Sequence, residues 1–159
     1  MEEIYPRIFV GSNEDCFYDR RPQWAVIHAC QKPCHSGQLQ YRGDPPEDHP
    51  DYLMFTRGNH LYLNFPNPIK PFVEEKIFAE GSYFINNSYP HYKILIHSRS
   101  GISRAPALVL AYLAASGKIR RGNYQAAKKD FLDLYPAYDP SPGLDKYLSN
   151  NWYEIFRDQ

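Results

Sequence analysis

Residues Ile94-Leu95-Ile96 run into the polar stretch His97-Ser98-Arg99-Ser100-Gly101-Ile102-Ser103-Arg104, and an Ala-rich apolar segment follows from Ala105 to Ala115. A β-rich run, a short loop containing glycine and an apolar helix in that order constrain this chain more than any other segment. The layout is that of an anion cradle. Backbone N–H groups converge at a helix N-terminus, Arg104 supplies a guanidinium, and Gly101 lets the backbone turn. The residue after His97, where such a cradle would carry a nucleophile, is Ser98, with no obvious base beside it in sequence.

The rest of the chain reads as α/β around that unit. Short apolar runs bounded by turn residues predict strands at Ile8–Val10, Trp24–Ala29, Leu61–Leu63 and Lys93–His97. Apolar spacing predicts helices over Phe72–Asn86, Ala105–Ser116, Asn123–Tyr135 and Gly143–Phe156. Pro106 falls in the first turn of its helix, where it loses no hydrogen bond. The stretch Gln31 to Met54, rich in Gly, Pro, Asp and His, reads as a long ordered loop or insertion on one side of the fold. A chain of 159 residues with no linker-like segment is expected to form one domain, 1–159.

Composition excludes some functions. Net charge is zero, so bulk attraction to nucleic acid or to a membrane surface is not implied, and any anion binding must be local. No apolar run approaches the roughly 20 residues of a membrane span, and the N-terminus is polar rather than signal-like. Three cysteines, an odd number, point to reduced thiols in a cytoplasm-like compartment.

The spacing His-x6-Arg, with Gly101 four residues after His97 and Ser-Arg closing the loop, resembles the signature of the cysteine-dependent dual-specificity protein phosphatases, whose loop reads His-Cys-x5-Arg. The flanks match too: Ile94-Leu95-Ile96 before the loop and Leu108-Val109-Leu110-Ala111-Tyr112-Leu113 after it. Ile4 to Ser12 resembles that family's opening strand pair. Phe78–Ile85 resembles the helix leading into the loop strand, and Tyr135 to Gly143 the segment before the last helix. The motifs His28-Ala29-Cys30, His49-Pro50-x-Tyr52 and Asn59 to Asn64 look most like short bacterial and phage members. The resemblance implies the cysteine-phosphatase fold, a central, mostly parallel mixed sheet flanked by helices. It also implies a phosphate-binding loop made of Ser98, Arg99, Ser100, Gly101, Ile102, Ser103 and Arg104, shaped by His97. A cytoplasmic setting, in a bacterium or an infected host cell, goes with it.

The same resemblance exposes three departures, all in the chemical parts. A cysteine at the nucleophile position would be a thiolate at neutral pH, whereas a serine hydroxyl stays protonated and is a poor nucleophile without a base. In the family an Asp follows the Leu-x-Leu-Asn strand and protonates the leaving oxygen. Register places Asn67 there, and Asn gives up no proton. No carboxylate lies within Asn59–Lys70, and Asp130, Asp133 and Asp139 are more distant candidates. Finally, Ala105 stands where the family usually has a hydroxyl residue.

Two accounts follow. One is a phosphatase-fold protein, inactive as written, that binds a phosphate-bearing small molecule or phosphoprotein and sequesters it. The other is an active phosphatase captured as a Cys-to-Ser substrate-trapping variant at position 98. A single change explains Ser98 but not Asn67 or Ala105, so the departures favour the binder. Arg99 would add a second positive charge at the loop mouth, and Tyr62, Phe65, Tyr92 and Tyr138 are candidate walls for an aromatic ligand. No cofactor is expected. His28, Cys30, Cys34 and His35 offer four zinc ligands in eight residues, but one short cluster is weak and ordinary reduced cysteines are favoured. The basic stretch Lys118–Arg121 reads as a solvated helix–helix turn.

Overall fold

A computed structural model describes residues 1–69 and 74–157. Six strands form one sheet: β1 (Glu2–Tyr5), β2 (Ile8–Gly11), β3 (Trp24–His28), β4 (Met54–Arg57), β5 (His60–Leu63) and β6 (Lys93–His97). Their order is β1-β2-β6-β3-β5-β4. The inner pairs β2·β6, β6·β3 and β3·β5 are parallel, and the outer pairs β1·β2 and β4·β5 are antiparallel. The sheet is therefore mixed and mostly parallel, as expected. Strands buried on both faces read as unbroken apolar runs, and every residue of β3 and the last four of β6 are buried.

Five α-helices accompany the sheet: α1 (Ser36–Leu39), α2 (Glu74–Ser88), α3 (Arg104–Ala115), α4 (Tyr124–Leu134) and α5 (Pro142–Asn151). Helix α3 is buried from Arg104 to Ala114, which its Ala/Leu/Val composition permits on all sides. Small residues allow close approach: a Cβ on Gly81 of α2 would sit 3.3 Å from Leu108 of α3. Asn123 caps α4, its side chain accepting from Ala126 N at 2.9 Å. The large core lies where these helices meet the sheet. A smaller cluster of Trp24, Val26 and Leu95, with Phe9 against it, forms separately.

The expected strands and helices are present, with differences at three places. The region 31–54 is not all loop. An irregular helical turn, Gln31–His35, leads into α1, and Met54 opens an edge strand that its own sequence did not announce. The last helix stops at Asn151, and a separate 3-10 turn covers Glu154–Phe156. The expected start of the Phe72–Asn86 helix falls partly outside the described residues. Among the described residues no helix is long and apolar enough to cross a membrane.

One glycine controls the β6–α3 connection. Gly101 has φ +78°, and a Cβ there would stand 2.8 Å from the Gly11 carbonyl oxygen. Gly101→Ala is expected to lower unfolding free energy by at least about 1–2 kcal/mol through left-handed strain alone. Gly37→Ala, with nothing within 4 Å of the added carbon, is expected to be neutral or mildly stabilising. Urea denaturation of the two variants checks the contrast.

Candidate functional site

Because β2, β3 and β6 run parallel side by side, their C-terminal ends share one edge of the sheet, the usual place for a site in such folds. The loop 98–103 leaves that edge and is braced on several sides. Ser98 N donates to Gly11 O at 3.3 Å, and Asn13 N donates to Arg99 O at 3.3 Å. Tyr135 Oη donates to Gly101 O at 3.2 Å, and Asp139 N donates to Ile102 O at 2.8 Å. The Ser103 hydroxyl accepts from Ser141 N at 3.0 Å. The loop carbonyls are thus tied outward. The amides of residues 99–104 donate to no acceptor among the described residues, which leaves a row of N–H groups at the start of α3.

Arg104 sits at the end of that row. It is 9% exposed, and Nη1 donates to the Phe65 carbonyl at 2.6 Å. That bond fixes the guanidinium and ties the loop to the segment after β5. Burial pushes Arg104 down from its ordinary value. A cavity of about 290 Å³ opens beside it, lined by Gln31, Lys32, Pro66, Asn67, Arg99 and Arg104. Three cations and two amides therefore face one space, and among the described residues no carboxylate lines it. Such a surface can hold an anion by charge and by a two-pronged guanidinium contact. Among the described residues it holds no carboxylic acid or imidazole to protonate a leaving oxygen.

Ser98 lies at the root of the loop and is 1% exposed. Its hydroxyl accepts from Ala105 N at 3.3 Å. No imidazole or carboxylate among the described residues is hydrogen-bonded to it. The ring of His97 turns the other way: Nε2 lies 2.8 Å from His28 Nδ1 and 4.0 Å from Cys34 Sγ. His97 is therefore no base for Ser98. Asn67 lines the cavity, as its place after β5 suggested.

Several candidates from the sequence fall elsewhere. Tyr62 stacks on His28, Phe65 packs edge-on against Phe78, and Tyr138 meets Phe131 and Tyr124. Tyr92 precedes β6, at the opposite end of that strand from the loop, where its carbonyl accepts from Arg7. None of the four lines the cavity, so the expected aromatic walls are corrected to amides and cations. Asp130 pairs with Arg120, and Asp139 touches the loop through its backbone. Lys32 and Gln31 were not foreseen. They reach the cavity because the chain after β3 turns at once through Gln31–His35.

The short cluster His28, Cys30, Cys34 and His35 is also not the one that assembles. His35 Nδ1 lies 2.8 Å from the Tyr41 hydroxyl, and Nε2 lies 3.0 Å from the Asp51 carbonyl. Cys30 turns its thiol to Asn13 Oδ1 at 3.8 Å and also shares a hydrogen bond with the Cys34 thiol, but it is not one of the four groups that converge. His28 and Cys34 meet Cys16 and His97 instead. Cys16 is held well below the ordinary thiol range, at about 2, chiefly by a hydrogen bond from Cys34, with His28 and His97 adding to it. Cys34 is pushed up by the same hydrogen bond to Cys16, since it keeps the proton that Cys16 gives up.

No protein-family model and no curated protein matches the chain. Solved structures do. The human tyrosine phosphatase-like serine/threonine/tyrosine-interacting protein is 21% identical with TM-score 0.63, covering 98% of this chain and 97% of that one. A leucine-rich-repeat and phosphatase-domain protein from Entamoeba histolytica is 19% identical with TM-score 0.64, covering 96% and 90%. Human DUSP28 is 16% identical with TM-score 0.60, covering 96% and 93%. The chain has the dual-specificity phosphatase fold.

The geometry separates the two arginines. Arg104→Lys removes the planar fork and its bond to Phe65 O, and is expected to weaken tungstate binding at least about tenfold. Arg99→Ala, at an exposed position, is expected to weaken it less than about fivefold. Calorimetric titration of each variant with sodium tungstate checks this.

Proposed function

We propose that this protein binds a phosphate-bearing ligand, a phosphoprotein side chain or a small phosphorylated molecule, in the loop 98–104 and does not hydrolyse it. The observation that carries this reading is a cationic cavity beside a loop whose first residue is the buried Ser98, with no carboxylic acid among the described residues of its walls. The amides of Arg99 to Arg104 and the Arg104 guanidinium would take the phosphoryl oxygens. Lys32 and Arg99 would neutralise remaining charge at the mouth. Asn67 would donate a hydrogen bond to the ligand where an acid would give up a proton. The volume, near the low end of the usual range of about 300–1,000 Å³ for ligand sites, suits one phosphoryl group with a small part of what carries it.

Two chemical requirements argue against turnover. A buried serine hydroxyl with no base remains protonated and attacks phosphorus poorly. Expulsion of an alkoxide from phosphoserine or a sugar phosphate needs a proton, and Asn67, at the position expected for the acid, has none to give. A cradle that has lost both functions but keeps its cations binds without reacting. One of the structural neighbours is itself described as phosphatase-like and interacting, which is consistent with such a role.

The test is turnover of p-nitrophenyl phosphate, whose leaving group needs no acid. The unaltered chain is expected to release no more p-nitrophenol than buffer. Ser98→Cys is expected to raise the rate at least about a hundredfold, because the cradle would hold that thiol as a thiolate. The same variant is expected to leave a phosphoserine peptide intact, because Asn67 supplies no proton. Multiple turnovers by the unaltered chain would overturn the reading. Efficient hydrolysis of the phosphoserine peptide by Ser98→Cys would favour a trapped enzyme instead.

A further inference from the structure

Four soft ligand atoms converge directly behind the loop. Cys16 Sγ lies 3.7 Å from His28 Nδ1, His28 Nδ1 lies 2.8 Å from His97 Nε2, and His97 Nε2 lies 4.0 Å from Cys34 Sγ. All four atoms fall within 4.8 Å of one another. A tetrahedral zinc, with nitrogen at about 2.0–2.1 Å and sulfur at about 2.3 Å, holds its ligand atoms roughly 3.3–3.8 Å apart. The spacings here straddle that range, so small rotations of the side chains would close the set.

We propose that Cys16, His28, Cys34 and His97 form a structural zinc site. The donor set is two thiols and two imidazoles with no carboxylate, the composition of closed tetrahedral zinc centres. The three cysteines are free thiols, so no disulfide competes for the sulfurs. The imidazoles are 1% and 0% exposed. Cys16 and Cys34 are only half-buried, which leaves a route for the ion. On its far side, His28 Nε2 lies 3.0 Å from His60 Nδ1. A ligating histidine characteristically donates its other ring N–H to such an acceptor, which fixes the tautomer with a lone pair on Nδ1. The ring of Tyr62, stacked on His28 with centroids 4.2 Å apart, holds that orientation. For His97, Nδ1 is buried without a partner among the described residues, so Nε2 is its engaged nitrogen.

The four ligands come from four segments. Cys16 lies in the 3-10 turn Asn13–Arg20, His28 at the end of β3, Cys34 in the turn Gln31–His35, and His97 at the end of β6. His97 directly precedes Ser98, and Cys34 follows Lys32 by two positions. An ion there would pin the root of the 98–104 loop and the Lys32 wall to the sheet edge. The role is structural: all four positions are protein ligands, and no open position remains for substrate.

The untagged chain, reduced, loaded with zinc sulfate and desalted, is the material for the test, read by elemental analysis and by cobalt(II) substitution. About one zinc per chain is expected, with intense tetrahedral cobalt absorption and a thiolate-to-cobalt charge-transfer band. Cys16→Ser and Cys34→Ser are each expected to lose most of the metal, and Cys30→Ser is expected to keep it. Zinc below roughly a tenth of an equivalent would overturn the proposal. So would weak octahedral cobalt absorption, a Cys16–Cys34 disulfide that re-forms in place of metal uptake, or loss of metal in Cys30→Ser alone. Where the variants fold poorly, the cobalt spectrum of the unaltered chain decides by itself. Tungstate binding stands apart from this readout, so either the metal site or the anion cradle can fail alone.

Discussion

Strand β6 lies between β2 and β3 and pairs parallel to both, so three chain ends are delivered to one edge of the sheet. Two backbone bonds complete that arrangement past the last ladder residues: Ala29 N donates to His97 O at 2.8 Å, and Ser98 N donates to Gly11 O at 3.3 Å. Everything of chemical interest follows from this constraint. His97 closes β6 and Ser98 opens the loop, and their side chains point to different partners: His97 to His28 and Ser98 to Ala105 N. One enters the Cys/His cluster and the other the anion cradle. The two groups of residues meet at the junction where β6 ends and the loop begins.

The cradle is held open by bonds that point away from it. Its carbonyls are taken by Asn13, Tyr135 and Asp139, and its arginine is tethered to Phe65 O. Bonds made on the outside leave the inward amides available and hold them in place, so a bound anion need not order them at a cost in entropy. The same construction keeps three cations near one another around a single cavity. A bound dianion would relieve their mutual repulsion, which favours an anion of higher charge in the proposed role.

Much of this was legible in the sequence. The run Ile94 to Ala115 announced strand, loop and helix because its apolar periodicity changes abruptly at a polar, glycine-bearing stretch. Gly101 makes the turn and Arg104 opens the helix, as their local order suggested. What could not be read was what meets across distance. Cys16 and His28 are twelve residues apart, and His97 is a further sixty-nine, so no local spacing joins them. The visible short cluster misled for the same reason: the turn after β3 sends His35 to Tyr41 and Asp51, and Cys30 to Asn13. The aromatic walls failed because rings of that size are worth more in the core than beside a charged cavity. Edge strand β4 escaped notice because Met54-Phe55-Thr56-Arg57 is short and half exposed, and its pairing with β5 supplies the order its own residues do not.

The central claim is that the loop 98–104 holds a phosphoryl group without transferring it. Phosphorus NMR of the unaltered chain with phosphotyrosine tests this most directly, since one spectrum reports both binding and hydrolysis. The account predicts a saturable shift of the phosphotyrosine resonance and no growth of an inorganic phosphate signal on prolonged incubation. A growing inorganic phosphate signal would contradict the absence of turnover. A resonance unmoved at saturating protein, with inorganic phosphate and a phosphorylated nucleoside equally unmoved, would contradict the cradle itself.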